Sequence, residues 1–429
     1  MLHMQKPNIH VLDNGLKVLF IDTKAFPTLT ALLLVGAGSR YEHAKNNGIA
    51  HFLEHMFYKG SKNYPNPEII SQTIEGMGGH WNAFTSKDYT GYYIKAALDH
   101  FPKMIDILSD LLLRSFFDNQ EIEKEKGVIV EEINMYEDMP SRRIGEIFEN
   151  VIYPNNPLGY DIAGTKETVT SFNRDTFVNY MKNLYQPQNS VLIVAGGLGG
   201  SKKYIEIIDE KFRSWKGHKT VGFPPFDYNQ TKPSIHVTSK KTEQAHFCLG
   251  FPTFGIGDKR RSVLKVLATV LGGGASSRLF QEVREKRGLC YYISTGMEQY
   301  QDIGSIVTQS GVTKDINKVK EAVKATILEH KKITDGQIED TDIARSKEML
   351  KGRLLLSFED SFNVAHYYGL KELHEKKIET PTETIAKINQ VTKKEIIALA
   401  GEIFMSKKLN FAIIGPFESS QFKDTEFIL

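Results

Sequence analysis

His51-Phe52-Leu53-Glu54-His55 sets two imidazoles and a carboxylate at i, i+3 and i+4, positions that are neighbours on one face of an α-helix. Imidazoles four residues apart suit zinc, which binds nitrogen at about 2 Å and in catalytic sites keeps one position open for water. Glu54 then stands beside that water. Gly48, Ile49, Ala50, Phe52, Leu53, Met56 and Phe57 surround the motif with apolar or small residues, the signature of a buried helix. Buried ionisable groups need partners, and a metal is one. The competing reading is a pair of solvated helix polars in a chain with 13 histidines. The spacing in this context predicts a metal-dependent hydrolase.

Such a site needs a third protein ligand. Cys248 and Cys290 lie far along the chain, so a carboxylate is the expected donor. The segment 125–133 offers several. Helical phase groups Glu125, Val128, Ile129 and Glu132 on one face, and turns Glu131 about a hundred degrees away. A surface helix with a charged stripe is the alternative, and Glu121, Glu123, Lys124 and Lys126 conform to it on the other faces. Phase leaves the choice between these readings open, with Glu131 one position from the candidate ligand Glu132.

The chain reads as two diverged copies of one pattern. The first opens with a hairpin over 9–21 turning at Asp13-Asn14-Gly15, then a strand at 32–35. The second begins similarly, with a strand at 247–250 and an amphipathic helix at 263–271 where the first has its histidine helix. Polar-aromatic strand regions follow at 81–96 and 291–310, then long amphipathic helices such as 100–117. Each copy closes on a short apolar strand, 191–194 before Gly196-Gly197 and 411–414 before Gly415-Pro416. Residues 217–233, with Gly222, Pro224 and Pro225 and no apolar period, read as a linker between domains 1–216 and 234–429. The run Gly272-Gly273-Gly274 reads locally as a helix terminator. No phosphate-binding glycine motif is satisfied there or at 196–203.

With these features the chain resembles the pitrilysin family of inverted zinc peptidases, in the short-chain branch that includes mitochondrial processing peptidase and its bacterial relatives. The resemblance covers nearly the whole length. It implies an α+β fold of two homologous domains, each a mostly antiparallel sheet packed with helices. It also implies His51, His55 and Glu132 as zinc ligands, Glu54 as the base and Glu125 as a supporting acid; Glu132 lies 77 residues past His55 and seven past Glu125. In the second copy, Arg284 and Tyr291 match an arginine and a tyrosine seven apart that hold a substrate carbonyl and stabilise the oxyanion. Asn82, Ala83 and Phe84 match an edge strand that grips an extended substrate by its main chain, while His80 is not expected to bind metal. The implied activity is a zinc endopeptidase for peptides or unfolded segments in a dimeric chamber. A homodimer is expected because one chain holds both residue sets; the alternative is a non-catalytic or partner-dependent subunit of a heteromeric assembly.

Composition constrains the remaining classes. At 429 residues the chain exceeds what one core usually covers. A net charge of +2 and the absence of a basic stripe give no reason to expect nucleic acid or an anionic membrane as partner. Residues 1–14 carry no apolar stretch of leader length, and no uncharged run suffices for a bilayer span. Two cysteines make no disulfide framework, so a reducing cytoplasm is the expected location.

Overall fold

The computed structural model describes residues 6–24, 27–424 and 427–429; positions 1–5 of the segment read for a leader lie outside them. Two compact units emerge, each built on one sheet. Unit 1 takes Met1–Ile133, Tyr160–Pro224 and Leu355–Thr382, and unit 2 takes Asn134–Gly159, Pro225–Leu354 and Glu383–Leu429.

In unit 1 the strands are β1 (Asn8–Val11), β2 (Lys17–Asp22), β3 (Thr28–Val35), β4 (His80–Thr85), β5 (Thr90–Ala97) and β6 (Ser190–Gly196), in the order β1-β2-β6-β3-β5-β4. The β1–β2 hairpin turns at Asp13-Asn14-Gly15, where Gly15 takes φ 89, a value that favours glycine. Unit 2 holds β7 (Ser234–Ser239), β8 (Ala245–Phe254), β9 (Cys290–Gln299), β10 (Ile303–Val312) and β11 (Asn410–Gly415), ordered β7-β11-β8-β10-β9. The two sheets superpose as patterns. Each has one parallel pair, β2 with β6 and β7 with β11, and is otherwise antiparallel. Sheet 2 has no counterpart of β1 among the described residues.

Both faces of β3 are buried, which is why it reads as a continuous apolar run instead of an alternation. Leu29, Ala31, Leu33 and Val35 join the core beneath the histidine helix and helix Phe101–Arg114. On the opposite face, Thr30 hydrogen-bonds Ser361 at 2.8 Å and helix Ser361–Leu370 packs on β3 and β6. That helix comes from the second half of the chain. Reciprocally, helix Pro140–Ile152 of the first half packs on β8 and β11 of unit 2. Glycines mark both seats: a Cβ on Gly369 would stand 2.6 Å from Leu34, and one on Gly250 would stand 2.8 Å from the Phe148 ring.

The compact units are therefore not the contiguous stretches 1–216 and 234–429. Amphipathicity says that a helix has an apolar face to bury, not which sheet will receive it. Residues 217–233 form no helix or strand. They are nonetheless packed: Phe223 lies 3.5 Å beneath the Arg40 guanidinium in unit 1, and Phe226 meets Tyr153 edge-on in unit 2. Among the described residues no helix is long and apolar enough to cross a membrane.

Candidate metal centre

The histidine motif lies on helix Ile49–Phe57, whose Ile49, Ala50, Phe52, Leu53, Met56 and Phe57 are buried. Phe52 packs against Phe172 and Phe177, and Phe57 stacks on Tyr92 with ring centroids 3.8 Å apart. These contacts fix the rotation of the helix, so that His51, Glu54 and His55 share its half-open face.

Glu132 reaches the same place from helix Asn119–Glu137, which buries Ile122, Glu125 and Ile129. Val128 is 52% exposed, correcting the expectation that it shares this face. At 100° per residue, Ile122, Glu125, Ile129 and Glu132 centre the buried stripe, and Val128 falls some 80° to one side. Glu131 is exposed.

One ligand atom each from His51, His55 and Glu132 lies within 4.8 Å of the others. Glu132 Oε2 stands 3.6 Å from His51 Nε2 and 3.5 Å from His55 Nε2. Ligands of a tetrahedral zinc at about 2.0 Å are roughly 3.3 Å apart, so two imidazoles and a carboxylate at this spacing fit that metal with little adjustment. His55 Nδ1 is 2.8 Å from Glu125 Oε1, a contact that presents Nε2 to the centre. Lys59 in turn donates to Glu125 Oε2 at 2.6 Å. Burial pushes the Glu125 carboxyl up, but its bonds to His55 and Lys59 more than offset this and hold it below the usual range.

Glu54 is the remaining carboxylate of the face. Burial raises it above an ordinary glutamate, while Thr85 Oγ1, donating to Oε2 at 2.6 Å, pulls the other way. Thr85 ends β4, an edge strand of its sheet. The three residues expected to grip substrate are on this strand, and they differ. Asn82 is exposed; its carbonyl accepts from Tyr58 Oη at 3.2 Å, and its Oδ1 accepts from the Ala83 N–H at 2.9 Å. Ala83 is small and buried against the histidine helix side. Phe84 is engaged in packing, since its ring covers Gly91, where a Cβ would stand 2.2 Å away, and meets Phe362 and His366 edge-on.

Arg284 and Tyr291 are carried by unit 2, whereas every residue of the preceding two paragraphs belongs to unit 1. Arg284 lies on the π-helical segment Phe280–Glu285, its guanidinium 4.6 Å over the Phe280 ring and 3.6 Å from Glu285. Tyr291 is 54% exposed on β9, an edge strand of sheet 2. Gly272 ends the helix that precedes this segment. Sequence reasoning gave no role to Lys59 or Thr85. Lys59 lies two residues past the end of the histidine helix, where helical spacing no longer applies; the Thr85 contact joins a strand end to a helix and carries no local signal.

A helix-borne histidine pair, a distal glutamate and two like α+β units define the class of two-domain zinc metallopeptidases. Residues 17–166 match the family described as insulinase (peptidase family M16), and residues 171–350 match the peptidase M16 inactive domain. The chain belongs to peptidase family M16, the pitrilysin and insulinase family, whose cofactor is zinc. It is 37% identical over 410 residues to uncharacterized zinc protease YmxG of Bacillus subtilis, covering 94% of this chain and 97% of that one. It is 31% identical over 415 residues to a protein of the same description from Streptomyces coelicolor, covering 96% and 90%. The fold matches the crystal structure of a protease from Helicobacter pylori at 23% identity with a TM-score of 0.89, over 96% of this chain and all of that chain. A structure titled peptidase M16 inactive domain, from Pseudomonas fluorescens, matches at 16% identity with a TM-score of 0.87, over 96% and 98% of the two chains.

Proposed function

We propose that this chain is a zinc endopeptidase that cleaves peptides and unfolded segments, with Glu54 as its general base. The observation that carries the reading is the convergence of His51, His55 and Glu132 within 4.8 Å beside a carboxylate held by the end of an edge strand. Zinc, when bound by these three residues, supplies Lewis acidity to the scissile carbonyl and to water. Thr85 occupies Oε2 of Glu54, which leaves Oε1 to take the proton of the attacking water and return it to the leaving amine. Glu125 keeps the His55 ring oriented. The β4 edge aligns substrate main chain at Asn82 and Ala83. By resemblance, Arg284 holds a substrate carbonyl and Tyr291 donates to the developing oxyanion. A homodimer enclosing a chamber is proposed because one chain holds both residue sets, and an active monomer in sedimentation would refute it. The two free cysteines, Cys248 and Cys290, suit a cytoplasmic location.

The test is hydrolysis of a mixed pool of unstructured peptides by the purified chain beside Glu54→Gln. Cleavage by the parent and a fall of at least about a hundredfold in the variant, with zinc content unchanged, is the expected result. Equal cleavage by both would remove Glu54 from the mechanism. Cleavage by neither would point to the alternative, a subunit that is non-catalytic or needs a related partner chain.

A further inference from the structure

The metal helix begins in an unusual way. Its N-cap is Gly48, at φ 95, a residue with no side chain of its own to cap the turn. Nothing larger fits there, since a Cβ on Gly48 would stand 2.7 Å from the Ala163 carbonyl oxygen. The first four N–H groups of a helix lack partners within it, and first turns fray. His51, one of the three residues that converge on the metal position, is the third residue of this helix. A ligand on a fraying turn is a poor ligand unless something fastens the turn.

Glu42 fastens it. Its Oε2 accepts from the Gly48 N–H at 2.8 Å and from Asn47 Nδ2 at 3.0 Å, and its Oε1 accepts from the Ala50 N–H at 2.8 Å. The residue is 2% exposed. A carboxylate at a helix N-terminus also meets the positive end of the helix dipole. By gripping the N–H groups of residues 48 and 50 with different oxygens, one carboxylate sets the orientation of the turn as well as closing it. The loop that presents Glu42 is itself anchored to the turn that follows β4. Ser39 N–H donates to the Ser86 carbonyl at 3.2 Å and Arg40 N–H to that of Lys87 at 3.0 Å. Buried Arg40 pairs with buried Asp88 at 2.9 Å, and Tyr180 Oη donates to the Gly38 carbonyl at 3.1 Å. The segment therefore ties the start of the metal helix to the strand whose last residue, Thr85, holds Glu54.

We infer that Glu42 is a positioning residue for the metal centre: its buried carboxylate locks the first turn of the histidine helix and so holds His51 in register with His55 and Glu132. This rests on the metal reading above. The prediction separates positioning from general stability, because the cap touches one turn and not the core. In Glu42→Gln, which keeps one acceptor oxygen, and Glu42→Ala, which keeps none, zinc affinity measured by chelator competition should fall in that order, by about tenfold and up to a hundredfold. Hydrogen exchange of the metal-free protein should lose protection at residues 48–52 while β3 and β6 keep theirs. Asn47→Ala, which removes one donor to Glu42, should show the same local pattern more weakly and serves if Glu42→Ala does not fold. Unchanged zinc affinity in folded variants would overturn the inference, as would protection lost evenly across unit 1. If the parent itself binds no zinc, the metal reading fails, while the exchange pattern still decides whether Glu42 fastens the turn.

Discussion

Thr85 commits one oxygen of Glu54, and the proposed chemistry depends on which oxygen stays available. A hydrogen bond to a charged acceptor contributes about 1.5–3 kcal/mol, and its loss would let the carboxylate rotate away from the water it must deprotonate. Thr85→Val preserves shape and removes the donor. The expected outcome is a fall in kcat of roughly tenfold, with KM and zinc content unchanged; an unaltered kcat would show that packing alone holds Glu54. Glu125 works at one remove, through His55 and Lys59. Glu125→Ala should weaken zinc binding by about 10- to 100-fold, read by chelator competition, and a variant with parental affinity would reduce Glu125 to a structural partner of Lys59. His51, Glu54 and His55 were legible because their relation is local and helical. Helical phase already turned Glu131 away from Glu132, but left open whether that face was buried; the stripe through Ile122 and Ile129 runs on the Glu132 side. The Thr85 contact spans 31 positions and left no trace in the pattern.

β4 is the element on which substrate recognition is proposed to rest, and its residues divide between packing and binding. Phe84 covers Gly91 and closes the sheet against Phe362 and His366, so its contribution to binding passes through the strand's shape. The Ala83 N–H, by contrast, is taken by the Asn82 side chain, and that amide can exchange its partner for a substrate carbonyl when the side chain swings aside. Ala83→Pro deletes the donor on an edge strand, where proline is tolerated. KM for peptides should rise by about tenfold, from the loss of roughly 1 kcal/mol or more per main-chain bond, with zinc content unchanged. A parental KM would remove Ala83 from the substrate edge. Most strands were readable from short apolar runs and turn residues, and the pairing of copies from the order of elements; β7, short and half-exposed, was not. The edge position of β4 was implied by resemblance alone, because strand order depends on partners remote in sequence.

At the scale of the whole molecule, the exchanged helices set the limit of sequence reading: Pro140–Ile152 has a one-sided apolar face and Ser361–Leu370 is apolar on most sides, yet each completes the unit built mainly from the other half. Among the described residues, unit 1 half-buries His366 and unit 2 buries His246 and His330, none of which the duplicated pattern announced. In unit 1, His366 of the exchanged helix hydrogen-bonds Tyr89 Oη at 3.2 Å, and burial lowers it from 6.5 to about 4. In unit 2, His330 contacts the Thr326 carbonyl through Nδ1 at 2.8 Å; burial lowers it to about 4 against the pull of that bond. Both rings are neutral in the folded chain and titrate near 6.5 once unfolded, so between these values the unfolded chain binds more protons. Their contribution is therefore complete above about pH 6.5 and lost as the pH falls through 4. A shift of this size corresponds to about 3 kcal/mol for each ring, enough to matter against a total stability on the order of 10 kcal/mol. Urea unfolding of the chelator-treated protein, in which metal loss from His51 and His55 plays no part, should show both units weakening between pH 6.5 and 4.5. His366→Phe should lessen that dependence for unit 1 and His330→Phe for unit 2, where His246, also lowered by burial, keeps part of it, each leaving the other unit's slope unchanged. Parental slopes in both variants would mean that the acid sensitivity arises elsewhere.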